Sequence, residues 1–125
     1  MSNCRGLTDY IAGHYACAAE IGVGHFPDLA LALAKRGIRV FATDIERFEH
    51  LGLKVVIDDI TRPRVSLYKG TALLYSLRPP PELVFYMRRL AKEVRAELIV
   101  KPLGSEYPGG QLMRHGDSTF FLWRA

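Results

Sequence analysis

The chain has 125 residues and a mass of 14.1 kDa, with 17 Lys and Arg against 13 Asp and Glu, for a net charge of +4. Apolar residues make up 49% and charged residues 24%, the usage of an ordinary globular domain, so residues 1–125 read as one domain and disorder, collagen and coiled coil are excluded. The longest apolar runs, Ala16–Ala19 and Leu29–Ala34, fall far short of the roughly 20 residues that cross a bilayer, so no membrane span is expected. The opening MSNCRGLTDY has no apolar export segment, which predicts a cytoplasmic protein. Cys4 and Cys17 are too few and too far apart for a disulfide framework or a zinc site, and His14, His25, His50 and His115 are scattered, so both cysteines read as free thiols and no metal is expected.

In chain order, strand-like apolar runs alternate with helical or polar stretches, the pattern of an α/β sheet. The first strand is predicted over Tyr15–Ile21, apolar on consecutive positions as a strand covered on both faces should be. It meets Gly22-Val23-Gly24. A helix follows over Pro27–Gly37, with Pro at its first position, Asp28 in the first turn, Lys35 and Arg36 in the last, and Gly37 just past the end. Further strands are predicted over Ile38–Asp44, Leu53–Ile57 and Thr71–Leu77, the last stopped by Pro79-Pro80-Pro81, whose rings cannot donate to a ladder. A second helix begins at Pro81 and runs to Val94, with Leu83, Tyr86, Met87, Leu90, Ala91 and Val94 at spacings of three and four. A fifth strand spans Glu97–Lys101, and Gln111–His115 with Ser118–Trp123 flank the compact turn Gly116-Asp117, which suits an antiparallel hairpin. Only Ile45–Gly52 separates the second and third strands, room for about two helical turns, and the stretch Asp59–Gly70 is expected to be a loop or a single turn.

Chemistry collects where these strands end, since open α/β sheets bind ligands at their carboxyl edges. Glu20, Asp44, Asp58 and Ser76 all end strands. Glu20-Ile21-Gly22-Val23-Gly24 is a strand-to-helix glycine turn, and Asp44 lies 20 residues beyond Gly24, where an acid that accepts bonds from two ribose hydroxyls is needed. Pro27 takes the third small position of a dinucleotide fingerprint, and Glu20 would set negative charge beside a pyrophosphate, so NAD is disfavoured. A ring of carboxylates suits instead a small nucleoside ligand carrying an ammonium and a sulfonium. S-adenosylmethionine is such a ligand.

The segment Glu20-Ile21-Gly22-Val23-Gly24-His25, with Asp44, Asp58-Asp59 and the closing hairpin, resembles the nucleoside-binding half of class I S-adenosylmethionine-dependent methyltransferases. Adding Ala42-Thr43-Asp44-Ile45, Val56-Ile57-Asp58-Asp59-Ile60 and Tyr75-Ser76-Leu77-Arg78-Pro79-Pro80-Pro81-Glu82-Leu83, nearly the whole chain is similar to a small uncharacterised archaeal protein family. The resemblance implies a Rossmann-like three-layer sandwich: a minimal, mostly parallel sheet of five strands in methyltransferase-like order, closed by a C-terminal antiparallel hairpin. It implies that Glu20 faces the methionine end of the cofactor, that the backbone of Gly22, Val23 and Gly24 runs beside it, that Asp44 with Ile45 takes the ribose, and that Asp58 or Asp59 takes the adenine amino group. Ser76, Arg78, Pro79 and Pro80 occupy the place of an Asp-Pro-Pro or Asn-Pro-Pro substrate motif but lack its carboxylate or amide. The chain also departs from the pattern in its missing third glycine, in having no N-terminal helix of usual length before the first strand, and in carrying no substrate-recognition insert.

Each of these residues has a plainer role to weigh. Glu20 could pair with a Lys or Arg at a strand end; Asp44 and Asp58 could cap the turns that follow them. Arg78 could grip an anionic substrate or pair with Glu82, and His25 could carry a proton or sit as an ordinary loop histidine. Arg88, Arg89, Lys92 and Arg95 form either a solvated helix side or a face for RNA phosphates, and Phe120, Phe121 and Trp123 read as core or subunit contact, with base stacking as the alternative. The sequence thus predicts a domain that binds S-adenosylmethionine or a related adenosyl ligand, with methyl transfer if it is catalytic. The alternative is a non-catalytic nucleotide-sensing or oligomerisation module whose hairpin edge pairs with a second copy as a homodimer.

Overall fold

A computed structural model describes residues 4–125. In chain order the elements are helix α1 (Arg5–His14), strand β1 (Cys17–Ile21), helix α2 (Asp28–Lys35), strands β2 (Arg39–Asp44), β3 (Val55–Ile57) and β4 (Leu73–Leu77), helix α3 (Val84–Val94), and strands β5 (Glu97–Lys101), β6 (Gln111–His115) and β7 (Ser118–Trp123). Single 3-10 turns occupy Val65–Tyr68 and Pro81–Leu83. The strands form one sheet in the order β3-β2-β1-β4-β5-β7-β6. Neighbours from β3 through β5 run parallel, and β7 runs antiparallel to both β5 and β6, so the five parallel strands and the hairpin make seven in all.

Two cores flank this sheet and give three layers. On one face Ile21, Leu74, Leu98 and Val100 pack under Met87 and Leu90 of α3 and Tyr68 of the 3-10 turn. On the other, Leu73, Tyr75, Ile99 and Phe120 pack under Leu7 and Ile11 of α1 and Leu29 and Leu33 of α2. Strands buried on both faces explain why the sequence shows continuous apolar runs rather than alternation. The amphipathic spacing of α3 is satisfied as expected, with Val84, Met87, Leu90 and Ala91 buried and Arg88, Arg89 and Lys92 exposed. Each fully buried Leu or Met contributes about 1.5–3 kcal/mol. Arg95, left-handed at φ 60°, ends the helix, and Ala96 N–H then donates to Ala91 O at 2.9 Å.

The structure corrects four expectations. A ten-residue helix, α1, does precede the first strand. Its sequence carries Gly6 and Gly13 and no side-chain cap, so local propensity argues against it. Its amino end is held from far along the chain, Gly6 N–H donating to Asp117 Oδ1 at 2.8 Å and Leu7 N–H to Ser118 Oγ at 3.0 Å. Residues 45–52 contain no helix; they form bends and a turn closed by a bridge between His50 and Leu53. Pro27 precedes α2 as its cap residue rather than opening it, and the first strand starts at Cys17 rather than Tyr15. No described helix is long and apolar enough to cross a membrane.

Candidate functional site

The strand order reverses at β1, which has β2 on one side and β4 on the other. Above the carboxyl ends of these strands lies a cleft of about 470 Å³, lined by Gly22, Asp44, Ile45, Asp58, Asp59 and Thr61 on one side and Ser76 to Pro80 with Leu83 and Met87 on the other. Clefts at such a switch point, of about 300–1,000 Å³, are where open α/β sheets hold small ligands.

Gly22 follows the last residue of β1 with φ 78°, a conformation that L side chains rarely adopt. A side chain there would meet no atom within 4 Å, so its absence leaves the cleft floor open. The amides of Gly22 and Val23 both donate to Thr43 O, at 2.9 and 3.2 Å, which fixes the turn against β2. Gly24, at φ 56°, donates its N–H to Asp44 Oδ2 at 2.9 Å, and its carbonyl accepts from His50 Nε2 at 2.7 Å. Asp44 Oδ1 accepts from Glu46 N–H at 3.0 Å. Each carboxylate oxygen offers about two acceptor positions, so Asp44 is locked in orientation by one bond per oxygen and keeps acceptor capacity toward the cleft. Ile45 beside it is 65% exposed, an apolar wall without a protein partner covering it.

The two acids that end β3 differ. Asp58 is buried and committed: Oδ2 accepts from Tyr68 O–H at 2.6 Å, and Oδ1 accepts from Arg64 N–H at 3.1 Å and Arg64 Nε at 3.5 Å. Burial, reinforced by this bond, raises the Tyr68 hydroxyl above its ordinary range. Asp59 is half-buried, with Oδ1 taking both the hydroxyl and the amide of Thr61, at 2.7 and 2.9 Å. Those two bonds hold its carboxyl below the usual range, so it is charged at neutral pH. Asp59 Oδ2 has no partner among the described residues.

Glu20 is not part of this cleft. In a strand successive side chains alternate in face, so Glu20 points with Ala18 toward the α1 and α2 side while Ala19 and Ile21 face α3. Glu20 is 1% exposed, and Oε1 accepts from Tyr75 O–H at 2.8 Å across the β1–β4 pair. Burial pushes its carboxyl up to about 8, against which the Tyr75 bond pulls only partly, so the group is mainly neutral at pH 7. The expectation of a charged rim acid at this position, or of one paired with Lys or Arg, is therefore corrected. Val23 is buried in the small core with Ala30, Ala42 and Leu53, and neither it nor Gly24 lines the cleft.

On the far wall, Ser76 is buried and donates to Ile21 O at 2.7 Å, which ties β4 to the end of β1. Arg78 is exposed and left-handed at φ 52°, with its N–H donating to Lys101 O at 2.6 Å. It makes no ion pair with Glu82, nor with any acid among the described residues. His25 stands outside the cleft, edge-on to Phe48 at 4.9 Å between ring centroids. Sequence reasoning did not single out Thr43, Ile60, Thr61, Leu83 or Met87. The spacing of Leu83 and Met87, and the turn-forming Asp59-Ile60-Thr61, are the signals by which they could be found.

The model of the family described as "Uncharacterised protein family (UPF0146)" matches residues 5–123. The chain belongs to this family. A UPF0146 protein of Archaeoglobus fulgidus is 39% identical over 120 residues, covering 94% of this chain and 92% of that protein. One from Methanocaldococcus jannaschii is 43% identical over 94 residues, 72% of this chain and 69% of that protein. Among solved structures, the S-adenosylmethionine-dependent methyltransferase SibL in its apo form aligns with a TM-score of 0.52 at 16% identity, over 79% of this chain and 34% of SibL. The MycE methyltransferase of the mycinamycin biosynthetic pathway, solved with Mg and SAH, aligns at 0.51 and 12% identity, over 97% of this chain and 44% of MycE. These likenesses show that the UPF0146 chain has the methyltransferase-like α/β fold, and that it spans less than half the length of either enzyme.

Proposed function

We propose that this protein binds S-adenosylmethionine or a related adenosyl compound in the cleft above β1, β2 and β4. The observation that carries the reading is Asp44: a carboxylate at the end of β2, held by Gly24 and Glu46 amides, opening onto the same cleft as the bare backbone of Gly22. Ribose hydroxyls donate to such a carboxylate, and an adenine ring fits between Ile45, Ile60 and the Asp59–Thr61 turn, whose Asp59 Oδ2 accepts from an amino group. When bound, S-adenosylmethionine supplies a methyl group on a positively charged sulfur. The chain's own contribution is orientation and a low-dielectric wall, with Leu77, Leu83 and Met87 excluding water and Arg78 at the mouth available to an anionic group. The side chains of Ser76 and Asp58 serve the fold, one bonded to β1 and the other to Tyr68 and Arg64.

Titration calorimetry with S-adenosylmethionine and with its demethylated product tests this. Both are expected to bind, and Asp44→Asn is expected to weaken binding at least tenfold while leaving the thermal unfolding curve close to wild type. Absence of heat with either ligand, or unchanged affinity in the variant, overturns the proposal.

A second reading, a nucleotide-sensing module that acts through assembly, is favoured by one observation: β6 is an edge strand, with Leu112 63% exposed and its outer backbone unpaired among the described residues. Light scattering behind size exclusion, with and without nucleosides, is expected to show a ligand-dependent mass on that reading. A monomer indifferent to ligand refutes it.

A further inference from the structure

We propose that the groove between α3 and the end of β7 binds single-stranded nucleic acid. The groove encloses about 350 Å³ and is lined by Phe85, Arg88, Arg89 and Lys92 of α3 with Trp123 and Arg124 at the chain's end. Trp123 pairs with Leu98 at the amino end of β5, so the groove lies at the opposite edge of the sheet from the adenosyl cleft. The inference is therefore independent of the function proposed above.

Three features converge there. The first is charge: Arg88, Arg89, Lys92 and Arg124 are all exposed, and none has a carboxylate within ion-pair distance among the described residues. Four like charges face one concavity, an arrangement whose mutual repulsion a phosphate backbone relieves. The second is a set of aromatic faces. The Arg88 guanidinium lies 5.6 Å from the Trp123 ring centroid, and that of Arg89 lies 5.6 Å from Phe85 and 5.4 Å from Tyr86. Phe85 itself is 62% exposed. A positively charged groove interleaved with aromatic rings is the arrangement by which proteins hold unpaired bases, each stacked base contributing about 1–3 kcal/mol.

The third is rigidity. The indole of Trp123 packs against Gly109 and Gly110, where an added Cβ would come within 3.4 and 2.8 Å of it. Glycine therefore lets the loop press against the ring and fix it as a platform. A helix side that is merely solvated spreads its charges over a convex surface, whereas these converge on a hollow. Phe85 projects outward, but Trp123 is half-buried within the groove, where a base can reach it and an acyl chain of a flat bilayer surface cannot. Stacking on the rings requires bases freed from pairing, which selects single strands over duplex.

Trp123 is the only tryptophan of the chain, so its fluorescence reports on this groove alone. Labelled oligonucleotides of about 12 residues, an RNA, a DNA of the same sequence and the corresponding duplex, would be titrated by anisotropy with indole emission read in parallel. A single strand is expected to bind with quenching of Trp123, and the logarithm of affinity should fall against the logarithm of salt with a slope of about −3, near −0.7 for each of four phosphate contacts. The RNA and DNA arms show whether the sugar matters; binding of either supports the proposal. Arg88→Ala with Lys92→Ala, both exposed, should weaken binding at least tenfold and roughly halve the slope. Failure to bind at low salt overturns the inference, as does duplex binding equal to single-strand binding with unquenched Trp123, or capture by anionic vesicles without capture of oligonucleotide.

Discussion

Replacing Glu20 by Gln tests the environment that turns this acid away from the cleft. The carboxyl is 1% exposed, with one hydrogen bond from Tyr75, and burial raises its pKa from the ordinary 4.5 to about 8. Between those values the folded chain keeps a proton that the unfolded chain has released. Folded protein then binds more protons than unfolded, so stability falls as pH rises from about 4.5 to about 8 and levels off beyond. At about 1.4 kcal/mol per pH unit the loss approaches about 5 kcal/mol, a large share of the roughly 5–15 kcal/mol that holds a domain together. Glu20→Gln keeps an oxygen to accept from Tyr75 and has no proton to lose. Urea unfolding of both proteins at pH 5, 6, 7 and 8.5 isolates the effect, because the two chains differ at this position alone. The curves should lie within about 1 kcal/mol of each other at pH 5, with the variant more stable by roughly 3–5 kcal/mol at pH 8.5. Parallel pH dependence in the two proteins, or a variant weaker at pH 8.5, would show that Glu20 is charged and solvated in the folded state and would refute the reasoning.

Two further outcomes probe the supports of the site. Tyr68→Phe removes the donor to Asp58 Oδ2 and leaves a buried carboxylate oxygen short of a partner, which should cost about 1–3 kcal/mol in chemical denaturation; an unchanged midpoint would mean that water replaces the hydroxyl. Gly6→Ala places a Cβ 2.0 Å from the His115 carbonyl and 2.8 Å from Asp117 Oδ1, so α1 must lift from the hairpin. A fall in melting temperature of several degrees with loss of amide protection at Gly6 and Leu7 is expected, and a variant as stable as wild type would contradict the docking of α1.

How much of this was legible in the sequence follows from the range of the interactions involved. The strands β5, β6 and β7 fall where the apolar runs and the Gly116-Asp117 turn put them, because a hairpin and a buried strand are set by neighbours within a few residues. The place of Asp44 at the carboxyl end of β2 is legible from the apolar run that precedes it, and the structure bonds it there to Gly24. Glu20 is buried rather than at the rim, and the alternation of a strand already sets it on the face opposite Ile21. What meets it there is Tyr75, 55 residues away, brought into register with it by β4. Burial between those packed strands makes it neutral, and the Tyr75 bond opposes this only in part.

Helix α1 shows the same division in its sharpest form. Leu7, Tyr10 and Ile11 carry the spacing of an apolar helical face, yet the amides that begin the helix are satisfied by Asp117 and Ser118, 111 residues along the chain. The residue pattern by itself determined an α/β domain with acids and glycines at the carboxyl edge of its sheet, since periodicity and turn chemistry act locally. Which acids open onto the cleft, which are spent on the fold, and that the basic side of α3 closes over Trp123 into a groove, were decided by tertiary packing, because burial and hydrogen-bond partners exist only once distant segments meet.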